Sequence, residues 1–263
     1  MPGRVSTGVE WVDRLIEGGL PKGTWTVITG EPGTGKSIMC MFTAGANLGK
    51  TPIVYVTTET SFHDVVEQAR QFKIDLSQAV NLTDILAGRV KEAEGLVVVD
   101  LFGLYRQYRE MVREADEDER GRGRRPSRAL SIEVLRGAIN RAYEALGVER
   151  GDEALVIVDS MTAFWADKPA MARAYSYSLR QSLYRQNVTV LMTSQYAPTT
   201  DMSFGFGLEH IADGIIHLWM DDVKEVRAIR RWLIVKKMRL TNHDRRAHQF
   251  EITPQGIVEV QGA

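Results

Sequence analysis

The stretch TWTVITGEPGTGKSIMC, residues 24–40, joins an apolar run to a glycine-rich turn and then to a second run with helical character. Within it GEPGTGKS (30–37) fits the pattern G-x-x-x-x-G-K-[S/T], between a predicted strand at 24–30 and a predicted helix from about 35 to 48. The glycines let successive backbone N–H groups face one centre, and the start of the helix makes that centre an anion site. The flanking elements disfavour a fortuitous turn, so the sequence predicts a loop that cradles phosphates.

The loop residues also indicate which nucleotide the chain takes. Lys36 is expected to reach the β- and γ-phosphates, and the Ser37 hydroxyl to ligate Mg²⁺. The sequence has no Asn-Lys-x-Asp motif of the kind used by guanine-nucleotide switches, so ATP with Mg²⁺ is the expected pair. The predicted nucleotide-binding residues are the loop and the start of its helix: Gly30, Glu31, Pro32, Gly33, Thr34, Gly35, Lys36, Ser37 and Ile38.

Short apolar segments alternate with helical segments along the chain. Further strands are predicted at residues 52–58, 95–100, 154–160 and 187–194. Such alternation is typical of a parallel sheet that helices cover on both faces. After Gly207 four strand-like stretches follow with short gaps, which indicates antiparallel strands that extend the sheet. The predicted fold is α/β: a mostly parallel central sheet sandwiched by helices, with C-terminal antiparallel strands, in one domain spanning residues 1–263.

Composition narrows the class of protein. The 33 Lys and Arg residues against 34 Asp and Glu leave a net charge of −1, which gives no sign of nucleic-acid or membrane-surface binding. A single cysteine, Cys40, excludes an internal disulfide and suits a reducing cytoplasm. We find no signal peptide and no apolar run of about 20 residues, so a cytoplasmic protein without a membrane partner is expected. Residues at about 104–128, rich in arginine and acids, are predicted to form a charged surface insertion.

Two strands end in an aspartate that is a candidate metal ligand. Asp159 closes LVIVDS and Asp100 closes LVVVD, and ligands bind at the carboxyl ends of strands in open α/β sheets. We favour Asp159 because the next strand ends in the polar run 193–195, whereas Asp100 leads into the charged insertion. Ser37 and Asp159 are therefore the predicted Mg²⁺ ligands.

Hydrolysis also requires a group that orients or deprotonates water. Glu59 follows the strand that comes after the loop helix, where a carboxylate is close to a γ-phosphate. Gln195 ends another strand, and its amide is placed to sense the γ-phosphate. The competing interpretations are a glutamate favoured by a helix dipole and an amide that caps a loop. Glu59, Gln195 and Lys36 are the predicted catalytic residues within one chain.

These motifs together resemble those of the RecA superfamily of ATPases, and within it the KaiC-like proteins, especially archaeal single-domain homologues. The resemblance covers nearly the whole chain and rests on STGVEWVDRLIEGGLPKG, GEPGTGKS, VYVTTET, LVIVDS, FGLEHIADGIIHL and KKMRLTNHDRRAHQFEITPQGI. It implies a RecA-like core, ATP hydrolysis, and a ring of identical chains, often hexameric, with ATP held between neighbouring subunits. It also implies that Glu59 activates water.

The chain departs from the KaiC pattern at two places. KaiC proteins usually carry two consecutive glutamates, whereas Glu59 is followed by Thr60, so any role of the second acid is lost or altered. The autokinase half of the family carries adjacent Ser and Thr where this chain has Glu209 and His210, which offer no hydroxyl. The resemblance therefore favours the ATPase half, with a KaiC-type autokinase in signalling as an alternative.

The sequence VKKMRLTNHD, residues 235–244, begins as a strand and turns basic. Strict alternation would put Leu233 and Val235 on the same face as Lys237 and Arg239. The resemblance gives these two cations a target, the γ-phosphate on the neighbouring subunit, where charge builds during phosphoryl transfer. Lys237 and Arg239 are therefore predicted catalytic residues that act across a subunit interface.

A RecA-like accessory ATPase of DNA recombination or repair is the second hypothesis. Residues 196–207 carry two phenylalanines able to stack on bases, but no Lys or Arg. Residues 164–173 offer a modest set of one tryptophan and two cations. Because single-strand binding couples stacking to a positive groove, nucleic acid is not the favoured partner. The sequence leaves open the protein partner and the process that ATP hydrolysis serves.

Overall fold

The structure, a computed structural model, describes residues 3–106, 131–164, 172–195, 208–223 and 228–260. Those residues contain a ten-stranded sheet and a separate two-stranded ribbon. Most of the predicted charged insertion lies outside the described residues. The same is true of the loop at 196–207 and of the tryptophan and lysine in the segment at 164–173.

The longer strands follow the predicted apolar runs to within about three residues, whereas three strands of two residues each were not predicted. In chain order they are β1 (Arg4–Val5), β2 (Leu20–Pro21), β3 (Trp25–Gly30), β4 (Ile53–Thr57), β5 (Val80–Asn81), β6 (Leu96–Asp100), β7 (Ala154–Asp159), β8 (Val188–Gln195), β9 (Gly214–Val223), β10 (Ala228–Met238), β11 (His248–Thr253) and β12 (Gly256–Glu259). The ribbon pairs β1 with β2, and the other ten strands form the main sheet in the order β12-β11-β10-β9-β3-β8-β7-β4-β6-β5. The strands from β9 to β5 are parallel, whereas β10, β11 and β12 are antiparallel to their neighbours. This confirms the predicted α/β fold with C-terminal antiparallel strands.

Helices cover both faces of the parallel part of the sheet. They are α1 (Glu10–Leu15), α2 (Lys36–Asn47), α3 (Phe62–Gln71), α4 (Leu82–Leu86), α5 (Ile132–Ala145), α6 (Ala172–Leu183) and α7 (Leu208–Ile211), with a 3₁₀ turn at Met161–Phe164. Among the described helices, none is both long and apolar enough to cross a membrane.

Alternating side chains of each parallel strand enter two separate cores. In β7, Val156 and Val158 pack with the helices α4 to α7, whereas Leu155 and Ile157 pack with α1, α2 and α3. All four side chains are buried. Because both faces of the strand are covered, its sequence is continuously apolar rather than alternating. The next residue on the α2 side is Asp159, so the same alternation that builds the core aims this carboxylate toward α2.

The face assignment predicted for the end of β10 is wrong because the strand contains a β-bulge. Val235 pairs with Ile216 and Lys237 pairs with Ile215, so Lys236 is an extra residue in β10 at this point of the register. The core that holds Leu233 and Val235 continues with Met238, which is 5% exposed. Lys237 therefore lies on the opposite face from Val235. The bulge, which alternation cannot reveal, reverses the side to which each later residue points.

Candidate nucleotide-binding and hydrolysis site

The phosphate-binding loop connects β3 to α2 in a conformation that requires glycine. Gly33 has φ 80° and Gly35 has φ 103°, both in the left-handed region that residues with a Cβ rarely adopt. At Gly30 a Cβ would lie 2.2 Å from the Leu218 carbonyl oxygen, because β9 runs directly beside this end of β3. The loop therefore turns tightly over the sheet edge and delivers Lys36 and Ser37 at the start of α2.

Lys36 is buried within the loop and is held by it. Its Nζ donates to the carbonyl oxygens of Gly30 at 3.0 Å and Glu31 at 2.7 Å. Only 7% of the residue is exposed. Burial lowers the pKa of Lys36, and the nearby carboxylates of Asp159 and Glu59 oppose that shift because they favour the charged ammonium. An ammonium that donates to loop carbonyls is positioned to exchange those partners for phosphate oxygens.

Asp159 lies beneath the amino end of α2, as the strand alternation requires. Its Oδ1 accepts a hydrogen bond of 2.6 Å from the Thr193 hydroxyl at the end of β8. The Tyr55 hydroxyl also hydrogen-bonds the Asp159 side chain, and burial raises the pKa of that tyrosine well above its usual value. Two neutral donors thus hold a carboxylate whose charge favours the ammonium form of Lys36.

Asp100, the competing candidate, has a structural role instead. Its Oδ2 accepts from the Phe62 backbone N–H at 2.9 Å, and its Oδ1 accepts from the Gly103 N–H at 2.6 Å. β6 lies two strands away from β7, beside the start of α3 rather than that of α2. Both carboxylate oxygens therefore stabilise backbone turns. The geometry favours Asp159 as the carboxylate of the site.

Glu59 and Gln195 meet beyond the ends of β4 and β8. The Gln195 Nε2 donates to both carboxylate oxygens of Glu59, at 3.0 Å and 3.2 Å. The Ser160 side chain also hydrogen-bonds Glu59. Partial desolvation raises the pKa of Glu59, the bond from Ser160 opposes that shift, and the nearby carboxylate of Asp159 reinforces it. Residue Glu59 is exposed as a whole, so the desolvation of its carboxylate is moderate.

The residues present fit Mg²⁺ bound together with a nucleotide. The described residues contain no cluster of three or more His, Cys, Asp or Glu side chains that could hold a metal by themselves. Mg²⁺ in nucleotide sites usually has only one or two protein ligands, and phosphate oxygens and water complete its octahedron. Ser37 is exposed at the first turn of α2, and strand alternation places the side chain of Asp159 on the α2 side of β7. A hard oxygen donor set of this kind suits Mg²⁺.

Residues 5–262 match a family model described as the KaiC ATPase. The chain belongs to the KaiC ATPase family. The UPF0273 protein of Thermotoga maritima is 32% identical to it, over 97% of this chain and 95% of the relative. The UPF0273 protein of Aeropyrum pernix is 35% identical, over 98% of this chain and 94% of the relative. The KaiC-like protein PH0186 of Pyrococcus horikoshii has a similar fold, with a TM-score of 0.71 and 24% identity over 99% of this chain and all of that one.

Two neighbours of this KaiC-family site were not predicted from the sequence. The Arg231 Nε donates to the Gly33 carbonyl oxygen at 3.3 Å, which brings a β10 side chain onto the phosphate loop. The Ile252 side chain of β11 lies 2.9 Å from the position that a Cβ on Gly35 would take. Only the strand pairing brings these residues together with the loop, which lies about 200 positions earlier in the chain.

Lys237 and Arg239 lie at the other edge of the sheet. Because β10 runs antiparallel to β9, it begins near the phosphate loop and ends beside Gly214 of β9, which in turn pairs with Thr26 near the start of β3. The Lys237 Nζ donates to the Ala212 carbonyl oxygen at 2.5 Å, and the Arg239 Nη1 donates to the Asp213 Oδ1 at 3.2 Å. The five steps of β3 from Trp25 to Gly30 separate these cations from the loop by about 16 Å. Lys237 and Arg239 therefore cannot reach the phosphate-binding loop of their own chain.

Proposed function

We propose that this KaiC-family chain binds ATP with Mg²⁺ and hydrolyses it to ADP and phosphate. The observation that carries the proposal is the convergence of Lys36, Asp159, Glu59 and Gln195 at the carboxyl edge of four neighbouring strands or their connections. These are the groups that phosphoryl transfer to water requires: a cation for the phosphates, a carboxylate for the metal, and a carboxylate with an amide near the attacking water.

Each residue has a role that follows from its environment. Lys36 leaves the loop carbonyls for the β- and γ-phosphates, and the loop N–H groups bind the phosphate oxygens. Ser37 and Asp159 would hold Mg²⁺, which would neutralise charge on the phosphates. Glu59 accepts a hydrogen bond from the attacking water, and Gln195 keeps its carboxylate in place. Lys36, Glu59 and Gln195 therefore act within one chain.

We also propose that the site is completed by a second copy of the chain in a ring, with six subunits as the expected number. Lys237 and Arg239 are two cations on the edge opposite the phosphate loop, where no phosphate of the same chain reaches. A contact that joins two different surfaces of one chain is head-to-tail, and such contacts form a ring when the rotation between neighbouring subunits closes. Each subunit then supplies cations to the ATP of its neighbour, which stabilises the charge that develops in the transition state.

Size measurement with and without ATP and Mg²⁺, combined with turnover, tests both proposals. The wild type is expected to assemble with nucleotide and to hydrolyse it. Glu59→Gln is expected to bind ATP and assemble but to turn over slowly, because the amide is a poor acceptor for the proton of water. Arg239→Ala is expected to lose turnover while ATP binding is largely retained. A wild type that stays monomeric with full turnover would contradict the ring, and a Glu59→Gln variant at the wild-type rate would contradict the role of Glu59.

A further inference from the structure

Asp213 lies between α7 and β9, directly behind the two cations at the edge opposite the phosphate loop. The residue is 8% exposed, and its carboxylate contacts groups from three other parts of the fold. The Trp25 backbone N–H donates to its Oδ2 at 3.1 Å. Both Nη atoms of Arg180 donate to the same oxygen at 3.1 Å, and the Arg239 Nη1 donates to Oδ1 at 3.2 Å.

The carboxylate is fixed independently of Arg239. The Asp213 N–H donates to the Trp25 carbonyl at 2.7 Å, so backbone and side chain are both attached to the start of β3. Arg180 is itself immobilised, because its guanidinium stacks over the Trp25 ring at 5.3 Å and donates to the Ile211 carbonyl oxygen. Removing Arg239 would therefore leave Asp213 with its N–H and guanidinium partners.

Arg239 is the exposed member of the cluster. Its side chain is 59% exposed, compared with 26% for Arg180 and 11% for Asp213. An ion pair that is more than half exposed contributes little to stability, since solvent screens it. Its stronger effect is on orientation, because an arginine side chain has several rotatable bonds and one fixed acceptor restricts that freedom. The Arg239 backbone N–H also donates to the Asp213 carbonyl at 2.9 Å, so the same residue positions both ends of the arginine.

The charge of the cluster stays positive. Arg180, Lys237 and Arg239 carry three positive charges against the single negative charge of Asp213, which leaves a net charge of +2. Lys237 donates to the carbonyl of Ala212, the residue next to Asp213, so one turn holds both cations. The positive charge of Arg180 balances the negative charge of Asp213. Asp213 can therefore orient Arg239 while Lys237 and Arg239 keep the cluster positive.

We propose that Asp213, held in place by Arg180, is a positioning residue that orients the Arg239 guanidinium toward a phosphate of ATP on the neighbouring subunit. The inference rests on the proposed shared site. It adds Asp213 and Arg180 to that site as residues that act through Arg239 and not by contact with the nucleotide or the attacking water. Asp213→Asn keeps the size of the side chain and removes its charge. It is expected to lower kcat by about 10-fold, the equivalent of one weakened charged hydrogen bond, while KM for ATP stays within about twofold.

Mixing two variants tests the inference and separates it from the proposed function. The Glu59→Gln variant lacks the carboxylate proposed to bind the attacking water but keeps Lys237 and Arg239. The Arg239→Ala variant lacks the arginine but keeps Glu59. In a one-to-one mixture about one quarter of the interfaces in a closed ring combine a working Glu59 with a working Arg239, so about a quarter of the wild-type rate is expected. If this mixture stays inactive, the shared site itself is wrong.

If the mixture is active, Asp213→Asn is mixed with each variant in turn. Rescue by Glu59→Gln but not by Arg239→Ala is expected, because Asp213 acts through the arginine of its own subunit on the next subunit's ATP. The double variant Asp213→Asn/Arg239→Ala should be no slower than Arg239→Ala alone. Wild-type turnover of Asp213→Asn, or a loss that Glu59→Gln subunits do not rescue, would overturn the inference.

The control is Glu153→Gln, which removes another ion-paired carboxylate near the same edge, with Lys22 at 2.5 Å. This variant should keep the wild-type rate. If Asp213→Asn does not fold, Arg180→Lys is the variant that tests the inference. Lysine keeps the positive charge but cannot make the two hydrogen bonds by which Arg180 fixes the Asp213 carboxylate. Arg180→Lys is expected to give the same pattern of rescue with a smaller loss of kcat, and an unchanged kcat for Arg180→Lys would then overturn the inference.

Discussion

The hydrogen bond from Ser160 lowers the pKa of Glu59, so removal of the Ser160 hydroxyl should move the pH dependence of ATP hydrolysis. In the proposed mechanism Glu59 acts as a carboxylate, so turnover should fall as the pH drops through its pKa. That pKa is raised by partial desolvation and held down by the hydrogen bond from Ser160. In Ser160→Ala the donor is gone, the charged form loses stabilisation, and the pKa rises. The acidic limb of the kcat profile should therefore move to higher pH.

The magnitude follows from the strength of one hydrogen bond to a charged group. Such a bond contributes about 1.5–3 kcal/mol when buried. Because Glu59 is exposed as a residue, we halve that value for solvent screening, which leaves about 0.7–1.5 kcal/mol. One pKa unit corresponds to about 1.4 kcal/mol, so the expected shift is about 0.5–1 unit upward. Loss of the acceptor for the Thr162 N–H, now 3.1 Å from the Ser160 Oγ, should also lower the free energy of unfolding by about 1 kcal/mol.

The assay is steady-state ATP hydrolysis at saturating ATP and Mg²⁺ from pH 4 to pH 9, on wild type and variant. Ser131→Ala is the matched control, because Ser131 also donates to a glutamate, Glu133, on an exposed helix start away from the site. Its profile should overlay that of the wild type. An acidic limb that stays in place in folded Ser160→Ala, or that moves to lower pH, would refute this assignment of Glu59 and its donor.

Three further predictions test the site and the core. Lys36→Ala should weaken ATP binding by about 10- to 100-fold through loss of its charged contacts to phosphate, and an unchanged Kd from nucleotide fluorescence would contradict the role of the loop. Chelation of Mg²⁺ should abolish turnover. Asp159→Asn should raise the Mg²⁺ concentration needed for half the maximal rate. If wild type and variant show the same dependence of rate on Mg²⁺, another carboxylate is the ligand. Ile157→Ala, at a fully buried position, should lower the free energy of unfolding by about 2–5 kcal/mol in urea titrations, against about 0.5 kcal/mol or less for Val134→Ala on the surface.

The elements with a strong local signal were predictable from the sequence. The loop from Gly30 to Ser37 has both its spacing and its flanking strand and helix within one short stretch, so no long-range information is required. The buried strands were equally clear because both of their faces are covered and their sequences are continuously apolar. The strand β5, with only two residues, has no period to detect and was not predicted.

Contacts that depend on the order of the strands in the sheet could not be predicted from the sequence. Asp100 and Asp159 end similar apolar strands, and only the topology shows that α3 lies beside one and α2 beside the other. Arg231 reaches Gly33 through the pairing of β10 with β9, which no local pattern encodes. The partners of Arg239 were missed for the same reason, since Asp213 and Arg180 come from separate segments that the sheet edge assembles.

The extra residue at Lys236 gives the end of β10 a reserve of one residue. Deletion of Lys236 would remove the bulge and leave a regular ladder, in which Lys237 still pairs with Ile215 and Met238 still pairs with Gly214. Both side chains would keep their faces. A strand that kept all its residues but lost the bulge would instead place Lys237 in the core and Met238 outside it. This point of the chain should therefore tolerate the loss of one residue better than it tolerates regular pairing of its present length.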